Sequence, residues 1–304
     1  MHTLSYDAVV AGGSWAGLAA ALQLARARRR VLVVDAGRPR NRFAHAAHGF
    51  LGQDGRAPAA IVAAGRAEVL AYPTAAFRED EIVQAHVGDG SFALTLASGA
   101  TIASRRLVLA TGIVDLLPEI AGLRERWGAT VLHCPYCHGY EVADRRLGVL
   151  ATSELSLHQA LLLPDWSADV TLFTNGALVP DAAQRAALAV RGVRVEARRV
   201  EALLGTGPGL DGVRLADGEV VPLDAMFTGA RARMASPLAE QLGCAFDDGP
   251  VGPVIRTDPR KATSVPGVFA AGDATRGNGN ATMAVADGMM AGTAAHQSLA
   301  LPVV

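Results

Sequence analysis

Two cysteines separated by two residues are the part of the sequence best suited to do chemistry. Cys134 and Cys137 stand in the hexapeptide His-Cys-Pro-Tyr-Cys-His, which ends at His138. This spacing lets two sulfurs close a small disulfide ring across the start of a helix and cycle between dithiol and disulfide. A helix N-terminus and a neighbouring imidazole both favour the thiolate, so we expect one sulfur to be nucleophilic near neutral pH.

Three other interpretations of the hexapeptide are open from its pattern alone. Cys-x-x-Cys-His also attaches c-type haem, but that requires export, and the N-terminus has neither the basic nor the apolar segment of a secretory signal. A zinc site usually has four ligands, and the third cysteine, Cys244, stands alone far downstream. Two reduced, inert structural cysteines are the third alternative. We expect a redox pair and no metal, with the rest of the chain deciding.

Composition narrows the range of partners and locations. Half of the 304 residues are hydrophobic, which allows two domains with their own cores, and no apolar run approaches the roughly 18 residues that span a bilayer. The formal charge is −1 and no basic block is interleaved with aromatic residues, so neither a nucleic acid nor a membrane is an expected partner. Three cysteines, two of them at Cys-x-x-Cys spacing, favour a reducing compartment and hence the cytoplasm.

The first 35 residues predict a strand–turn–helix–strand unit that binds a dinucleotide. A strand over 7–11, a helix over 17–27 and a strand over 31–34 surround the turn Gly12-Gly13-Ser14-Trp15-Ala16-Gly17. Gly12 makes the tight turn, Gly17 lets the helix pack closely on the sheet, and the helix N-terminal amides can hold a pyrophosphate. Ser14 occupies the second glycine position of the motif, and Asp35 is placed to accept hydrogen bonds from a ribose. A glycine-rich turn that binds nothing is the alternative.

A second unit repeats this frame without its phosphate-binding chemistry. Strands over 147–151 and 169–173 enclose a helix over 155–163, but the turn from Ala151 to Ser156 contains no glycine. Thr174 stands where the first unit has its acid. We therefore expect NAD(P)H to bind poorly.

Two further turns follow buried strands. Ala110-Thr111-Gly112 is a turn of small residues that permits close approach of backbone to a cofactor. Asp273 follows a strand near the C-terminus, and we interpret it as an acceptor for a cofactor hydroxyl rather than as an ordinary cap.

The sequence leaves the function of two histidines open. His45 and His48 lie in a polar loop over 38–54, where a histidine either touches a ligand or is simply solvated. The methionines of the C-terminal helix are expected in its core: Met283, Met289 and Met290.

Together these motifs resemble the low-molecular-weight thioredoxin reductase family of flavoproteins, and the resemblance covers the whole chain. It implies an α/β fold of two Rossmann-like dinucleotide-binding domains, with a discontinuous FAD-binding domain (1–115 and 233–304) and an inserted second domain (116–232). It also implies a homodimer, and places Cys137 nearest the flavin and Cys134 where substrate exchanges. The FAD-binding residues that it implies are Gly12, Gly13, Ser14, Gly17, Asp35, Ala110, Thr111, Gly112, Gly272 and Asp273.

Two departures from the family bear on the activity. His138-Gly139 stands where the family has Asp-Gly, which makes an imidazole the proton donor and acceptor. Thr174-Asn175-Gly176 stands where the family places arginines for a 2′-phosphate. This resembles the subgroup of flavin-dependent dithiol oxidases related to the gliotoxin and holomycin enzymes.

The resemblance to that subgroup implies oxidation of a dithiol to a disulfide with dioxygen, with His138 moving protons. The substrate is then a small dithiol or a thioredoxin-like protein. A thioredoxin-disulfide reductase fed by NADPH or another donor, and a non-catalytic FAD-binding protein, remain alternatives. A flavin monooxygenase would need the second glycine motif that this chain lacks.

Overall fold

A computed structural model of the chain describes residues 4–277 and 279–301. The chain divides into two compact units. Unit 1 comprises residues 1–42, 58–114 and 232–304, and unit 2 comprises residues 43–57 and 115–231. The short segment 43–57 thus belongs to unit 2, although the sequence places it in the first part of the FAD-binding domain.

The described residues form strands and helices of ordinary length. The strands are β1 Leu4–Ala11, β2 Val31–Asp35, β3 Ala75–Glu79, β4 Ile82–Val87, β5 Phe92–Leu96, β6 Thr101–Leu109, β7 Ile113–Leu116, β8 Val131–Leu132, β9 Leu147–Leu150, β10 Val170–Phe173, β11 Arg194–Glu196, β12 Val200–Leu204, β13 Gly212–Leu215, β14 Val220–Pro222, β15 Ala225–Thr228, β16 Arg231–Met234, β17 Phe246–Asp248, β18 Pro253–Ile255 and β19 Val268–Ala270. The helices are α1 Trp15–Arg26, α2 Pro58–Leu70, α3 Pro135–His138, α4 Leu155–Leu162, α5 Ala182–Val190, α6 Leu238–Gln241 and α7 Ala281–Ala300.

Unit 1 is built on a mixed sheet in the order β3-β2-β1-β6-β5-β4, with β19 also paired to β6. β3, β2, β1, β6 and β19 are parallel, whereas β4 and β5 are antiparallel additions. Ala11 pairs with Val34 and with Leu109, and Leu109 pairs with Ala270. Four parallel strands therefore end at one edge of the sheet, which is where such sheets bind ligands.

Alternate residues of the central strands face two separate cores. Val9 and Ala11 belong to a core that also contains side chains of β4, β5 and α6, whereas Ala8 and Val10 belong to a core that contains side chains of α1 and α7. Such alternation is expected of a strand covered on both faces. The sequences of these strands are therefore nearly unbroken runs of apolar residues.

α7 packs against α1 through glycine and alanine rather than through its methionines. A Cβ on Gly288 would overlap the carbonyl oxygen of Ala16, so only glycine allows this approach. The prediction that the methionines form the helix core is wrong. Met283, Met289 and Met290 are 44%, 42% and 38% exposed, because the small residues of α7 occupy the buried face.

A buried ion cluster joins three parts of unit 1. Asp287 of α7 is fully buried, and its carboxylate accepts hydrogen bonds from Arg276 at 2.5 and 2.7 Å. Lys261 Nζ lies 2.7 Å from the same carboxylate. Burial raises the pKa of Asp287, but the hydrogen bonds from Arg276 and Lys261 outweigh burial and leave that pKa below its ordinary value.

Unit 2 is built on a parallel sheet in the order β11-β10-β9-β15-β8. One face packs on α4 and α5 through a core that includes Leu147, Val149 and Ala160. The other face packs on the antiparallel sheet β12-β13-β14 through Leu150 and Phe173. The second dinucleotide-domain frame predicted from the sequence is thus present.

Two polar segments are also part of the fold. Residues 101–109 form one continuous strand, β6, which pairs with both β1 and β5. In the charged stretch 119–126, Arg126 is 5% exposed. Its guanidinium donates to the carbonyl oxygens of Gly122, Gly205 and Gly209, which satisfies the buried charge.

Candidate active site

The glycine-rich turn of unit 1 leaves no room for side chains. Gly12 has φ +105°, and a Cβ there would overlap the carbonyl oxygen of Ala110. A Cβ on Gly17 would overlap the carbonyl oxygen of Gly12. The N–H of Gly13 donates to Asp35 Oδ1 at 2.9 Å, so the acid at the end of β2 fixes the turn. The cradle has the close backbone that a pyrophosphate requires.

Ser14 carries an unsatisfied hydroxyl inside this cradle. It is the N-cap residue of α1, yet its side chain accepts no capping hydrogen bond. Its Oγ is buried without a hydrogen-bond partner. A buried polar atom without a partner is costly and points to a missing ligand, and the neighbouring helix N-terminus favours an anion. The turn therefore fits the phosphates of a dinucleotide.

The remaining predicted cofactor residues end the parallel strands at the same edge. Ala110, Thr111 and Gly112 follow β6, Asp35 ends β2, and Gly272 and Asp273 follow β19. Asp273 Oδ2 accepts a hydrogen bond from Arg40 Nη1 at 3.0 Å. Arg40 lies five residues beyond Asp35 and is not part of a recognisable motif, so its contact with Asp273 could not be predicted from the sequence.

The two cysteines of unit 2 are joined in a disulfide. Cys134 is the N-cap residue of the one-turn helix α3, and Cys137 lies within it. The N–H groups of Cys137 and His138 both donate to the carbonyl oxygen of Cys134, at 3.1 and 3.2 Å. The ring across a helix start that the spacing predicts is thus the geometry observed. Cys244 lies in unit 1, where burial raises the pKa of its thiol and makes it unreactive.

His138 is a half-buried histidine beside the disulfide. Burial lowers its pKa, the carboxylate of Glu141 opposes this shift, and His48 and His133 add to it. The net direction is downward, so the ring is neutral at pH 7. A neutral imidazole next to a thiol can accept its proton.

His48 is a functional candidate that the sequence could not distinguish from His45. Its ring centroid lies 6.5 Å from that of His138, edge to face. Its Nε2 lies 3.4 Å from Glu141 Oε1, and its Nδ1 lies 3.7 Å from Asp54 Oδ1. His45 is exposed. More than 80 residues of chain separate His48 from the cysteines, and no motif records the contact.

Aromatic residues surround the redox helix. The rings of Tyr136 and Trp166 meet edge to face with centroids 5.5 Å apart. A Cβ on Gly139 would lie 2.6 Å from the carbonyl oxygen of Pro135 and 3.0 Å from Trp166, so the residue after His138 must be glycine. Tyr136 and Tyr140 are 72% and 83% exposed. The disulfide is therefore bordered by exposed aromatic surface within unit 2.

The turn after β9, where a second dinucleotide would bind, uses its own side chains to satisfy its backbone. Ser156 is 1% exposed, and its Oγ accepts a hydrogen bond from the N–H of Thr152 at 3.1 Å. The N–H of Leu155 donates to Ser153 Oγ at 3.3 Å, and Thr152 Oγ1 donates to the carbonyl oxygen of Gly229. Amides that would hold a phosphate in a glycine-rich turn are already bonded here.

The turn after β10 is likewise occupied by structural contacts. Asn175 has φ +49°, and its Oδ1 accepts a hydrogen bond from the N–H of Val200 at 2.9 Å. The nearby Arg198 is held by three carboxylates, those of Glu196, Asp217 and Glu219. The side chain of Asn175 therefore anchors β12, and this arginine is already neutralised.

Across residues 4–277 and 279–301, no group of three His, Cys, Asp or Glu side chains converges as a metal site. No helix in them has both the length and the apolar character needed to cross a membrane.

Comparison with known proteins identifies the family. Residues 6–288 match the pyridine nucleotide-disulphide oxidoreductase family. The chain belongs to this family. The chain is 36% identical over 307 residues to thioredoxin reductase tcpT of Claviceps purpurea (strain 20.1), covering 96% of this chain and 94% of that protein.

Solved structures agree with this assignment. A crystal structure of an oxidoreductase from Agrobacterium tumefaciens is 49% identical with a TM-score of 0.94, and covers 99% of this chain and 100% of its own. The structure of HlmI is 41% identical with a TM-score of 0.89, covering 98% and 93%. These matches confirm the predicted thioredoxin reductase-like family, the α/β fold of two Rossmann-like domains, an FAD-dependent oxidoreductase as the enzyme class, and FAD as the cofactor.

Proposed function

We propose that the enzyme oxidises a dithiol substrate to a disulfide through the Cys134–Cys137 pair, with dioxygen as the final electron acceptor. The observation that carries the proposal is the turn from Ala151 to Ser156, where the amides of Thr152 and Leu155 are bonded to the turn's own hydroxyls and no glycine is present. Without NAD(P)H the substrate dithiol is the source of electrons. Dioxygen is the simplest acceptor.

We assign FAD to the cradle of unit 1. The helix N-terminus and the hydroxyl of Ser14 would hold the pyrophosphate, Asp35 would accept from the adenosine ribose, and Asp273 from the ribityl chain. A Cβ on Gly12 would overlap the carbonyl oxygen of Ala110, and a Cβ on Gly272 would lie 2.9 Å from the Cβ of Ala16, so both positions require glycine. Bound FAD supplies a two-electron acceptor that dioxygen can reoxidise.

The residues of unit 2 carry out the thiol chemistry. A substrate thiolate attacks Cys134, the Cys134–Cys137 bond breaks, and the second substrate thiolate then releases Cys134 as the substrate disulfide forms. Two electrons pass from the substrate sulfurs to the cysteine sulfurs. His138 accepts a proton from the attacking thiol, because its ring is neutral at pH 7. The reduced Cys134–Cys137 pair would then re-form its disulfide and give up two electrons and two protons, which bound FAD would allow dioxygen to take up as hydrogen peroxide.

Anaerobic stopped-flow mixing of the yellow holoenzyme tests the proposal. We expect dithiothreitol to bleach the flavin band and, in air, to produce peroxide, while saturating NADPH or NADH leaves the band unchanged on the same timescale. Cys137→Ser is the control, because it should retain FAD and lose the bleaching by dithiothreitol. Rapid bleaching by NADPH, with no dithiol-dependent peroxide, would contradict the proposal.

A disulfide reductase is the second candidate function. It is favoured by the names of tcpT and other relatives, which are called thioredoxin reductases. In that case electrons would run from a donor through the flavin to Cys137 and Cys134 and on to a disulfide protein. Bleaching by NADPH together with reduction of a thioredoxin-like protein would establish it.

We further propose that the enzyme is a cytoplasmic homodimer. The resemblance to thioredoxin reductases supports the dimer. The small number of cysteines, two of them at Cys-x-x-Cys spacing, supports the cytoplasm. Light scattering at micromolar concentration should give the mass of two chains. A mass of one chain would contradict the dimer.

A further inference from the structure

Oxidation of a dithiol moves protons within unit 2. The two substrate thiols lose two protons as their disulfide forms, and dioxygen takes up two protons only in the later step that gives hydrogen peroxide. His138 is half-buried, so it returns to its neutral form between these steps only if its proton moves on. A route from His138 to water lets the two steps exchange protons independently.

The side chains grouped with His138 in unit 2 differ in exposure. The side chain of His48 is 21% exposed, that of Glu141 39% and that of Asp54 69%. His48 lies between the two carboxylates, with one ring nitrogen toward each, at 3.4 and 3.7 Å. All four residues belong to unit 2.

We propose that His48 relays protons between His138 and solvent, with Glu141 and Asp54 holding its ring. The inference rests on the proposed function. The ring centroids of His48 and His138 are 6.5 Å apart. The carboxylate of Glu141, which lies 3.4 Å from His48 Nε2 and favours the protonated form of His138, connects the two rings. His48 acts through His138, so it is a positioning residue.

The charges that face His138 suit this role. Glu141 favours the protonated ring, whereas His48 and His133 disfavour it when they are themselves charged. A proton that reaches His48 therefore lowers the affinity of His138 for the next one. The pair releases protons outward one at a time, and Glu141 stabilises the charge in transit.

The test uses the FAD-loaded full chain and its matched variants. Dithiothreitol is mixed with the oxidised enzyme from pH 6 to pH 9. The state of Cys134 and Cys137 is followed by acid quench, alkylation and mass spectrometry, and the flavin band is recorded in parallel. His48→Gln keeps polarity but cannot carry the proton. His45→Gln, an exposed histidine of the same loop, is the control.

We expect His48→Gln to slow reduction of the disulfide about tenfold at pH 7, less than the roughly 10²–10⁴-fold of a direct proton donor because His48 acts through His138. Added imidazole should restore most of the rate, and His45→Gln should match the wild type. Equal rates for His48→Gln and wild type at every pH would overturn the relay. So would a slow His48→Gln variant that imidazole does not restore, because that result indicates a structural role.

Failure of the proposed function gives a different pattern. If dithiothreitol reduces the wild-type disulfide but never bleaches the flavin, the oxidase proposal fails. The relay is then judged on the disulfide step alone, by the same comparison of variants.

Discussion

The two sulfurs of the disulfide occupy different backbone positions. Cys134 is in extended conformation at the start of α3, and Cys137 lies within the helical turn. A sulfur outside the turn suits exchange with a substrate, in agreement with the order of roles that the family resemblance implies.

Single-cysteine variants test this order. We expect Cys137→Ser to accumulate a mixed disulfide with an added aromatic disulfide, because the Cys134 thiolate attacks that disulfide, releases an aromatic thiolate, and has no second cysteine to resolve the adduct. Cys134→Ser should react more slowly. Whole-protein mass spectrometry measures both adducts, and faster labelling of Cys134→Ser would reverse the assignment.

The substitution Ser14→Ala should affect the stability of the apoprotein and its affinity for FAD in opposite directions. Ser14→Ala removes a buried hydroxyl that has no partner, so the melting temperature of the apoprotein should stay equal or rise. FAD affinity should fall, because a hydrogen bond to a charged phosphate contributes about 1.5–3 kcal/mol, or at least about tenfold in affinity. Fluorescence titration of FAD measures the second effect. A fall in apoprotein stability with unchanged FAD affinity would show that the hydroxyl is a structural group.

The lowered pKa of His138 makes stability depend on pH. Unfolded histidine binds its proton near pH 6.5, and the folded ring binds it only at lower pH. As pH falls below about 6.5 the unfolded state therefore gains protons first and stability decreases, by at most about 1.4 kcal/mol per pH unit.

The variant His138→Gln isolates this contribution from that of the other histidines. We expect the melting temperature of the wild type to fall more than that of His138→Gln between pH 7.5 and pH 5.5. Equal losses would mean that burial does not disfavour the charged ring.

At the scale of elements, unit 1 depends on the close contact of α1 and α7. Gly288→Leu would force a side chain into the backbone at Ala16, and overpacking of this kind costs about 1–3 kcal/mol. FAD affinity should also fall, because Ala16 lies in the glycine-rich turn at the start of α1, where we assign the cofactor. Met289→Ala, on the exposed side of α7, should change the melting temperature little. Similar losses in both variants would contradict the packing described.

The stability of unit 1 also depends on the ion cluster formed by Asp287, Arg276 and Lys261. Asp287→Asn would leave Arg276 and Lys261 without their buried counter-ion, which typically costs about 3–5 kcal/mol. Asp89→Asn, an exposed loop substitution, is the control. Thermal unfolding compares them, and an unchanged melting temperature for Asp287→Asn would show that the cluster contributes no stability.

The elements that the sequence predicted share a local cause. The strands of unit 1 and the turn at Gly12 are apparent because apolar runs, glycines and an acid occur within 30 residues of one another. The methionines of α7 were misplaced because hydrophobicity alone does not show that a glycine stripe will take the buried face. His48 and Arg40 could not be found, since their contacts join distant segments.

At the scale of the whole molecule, the turns after β1 and β9 differ in the way that underlies the proposed electron source. The turn at Gly12 has a buried Ser14 hydroxyl without a hydrogen-bond partner, whereas in the turn at Ala151 two amides are bonded to the hydroxyls of Ser153 and Ser156. Both differences were visible as residue types, but only the hydrogen bonds show how the second turn compensates for its lost glycines.

The path of the chain through the two units has a practical consequence for dissecting the gene. Because residues 43–57 lie in unit 2 while 58–114 return to unit 1, unit 1 is encoded by three separate blocks and unit 2 by two. A truncation that removes 116–231 leaves an orphaned stretch containing His48, and an excised 116–231 fragment lacks it. Domain-swap chimeras with a relative should therefore exchange both segments together.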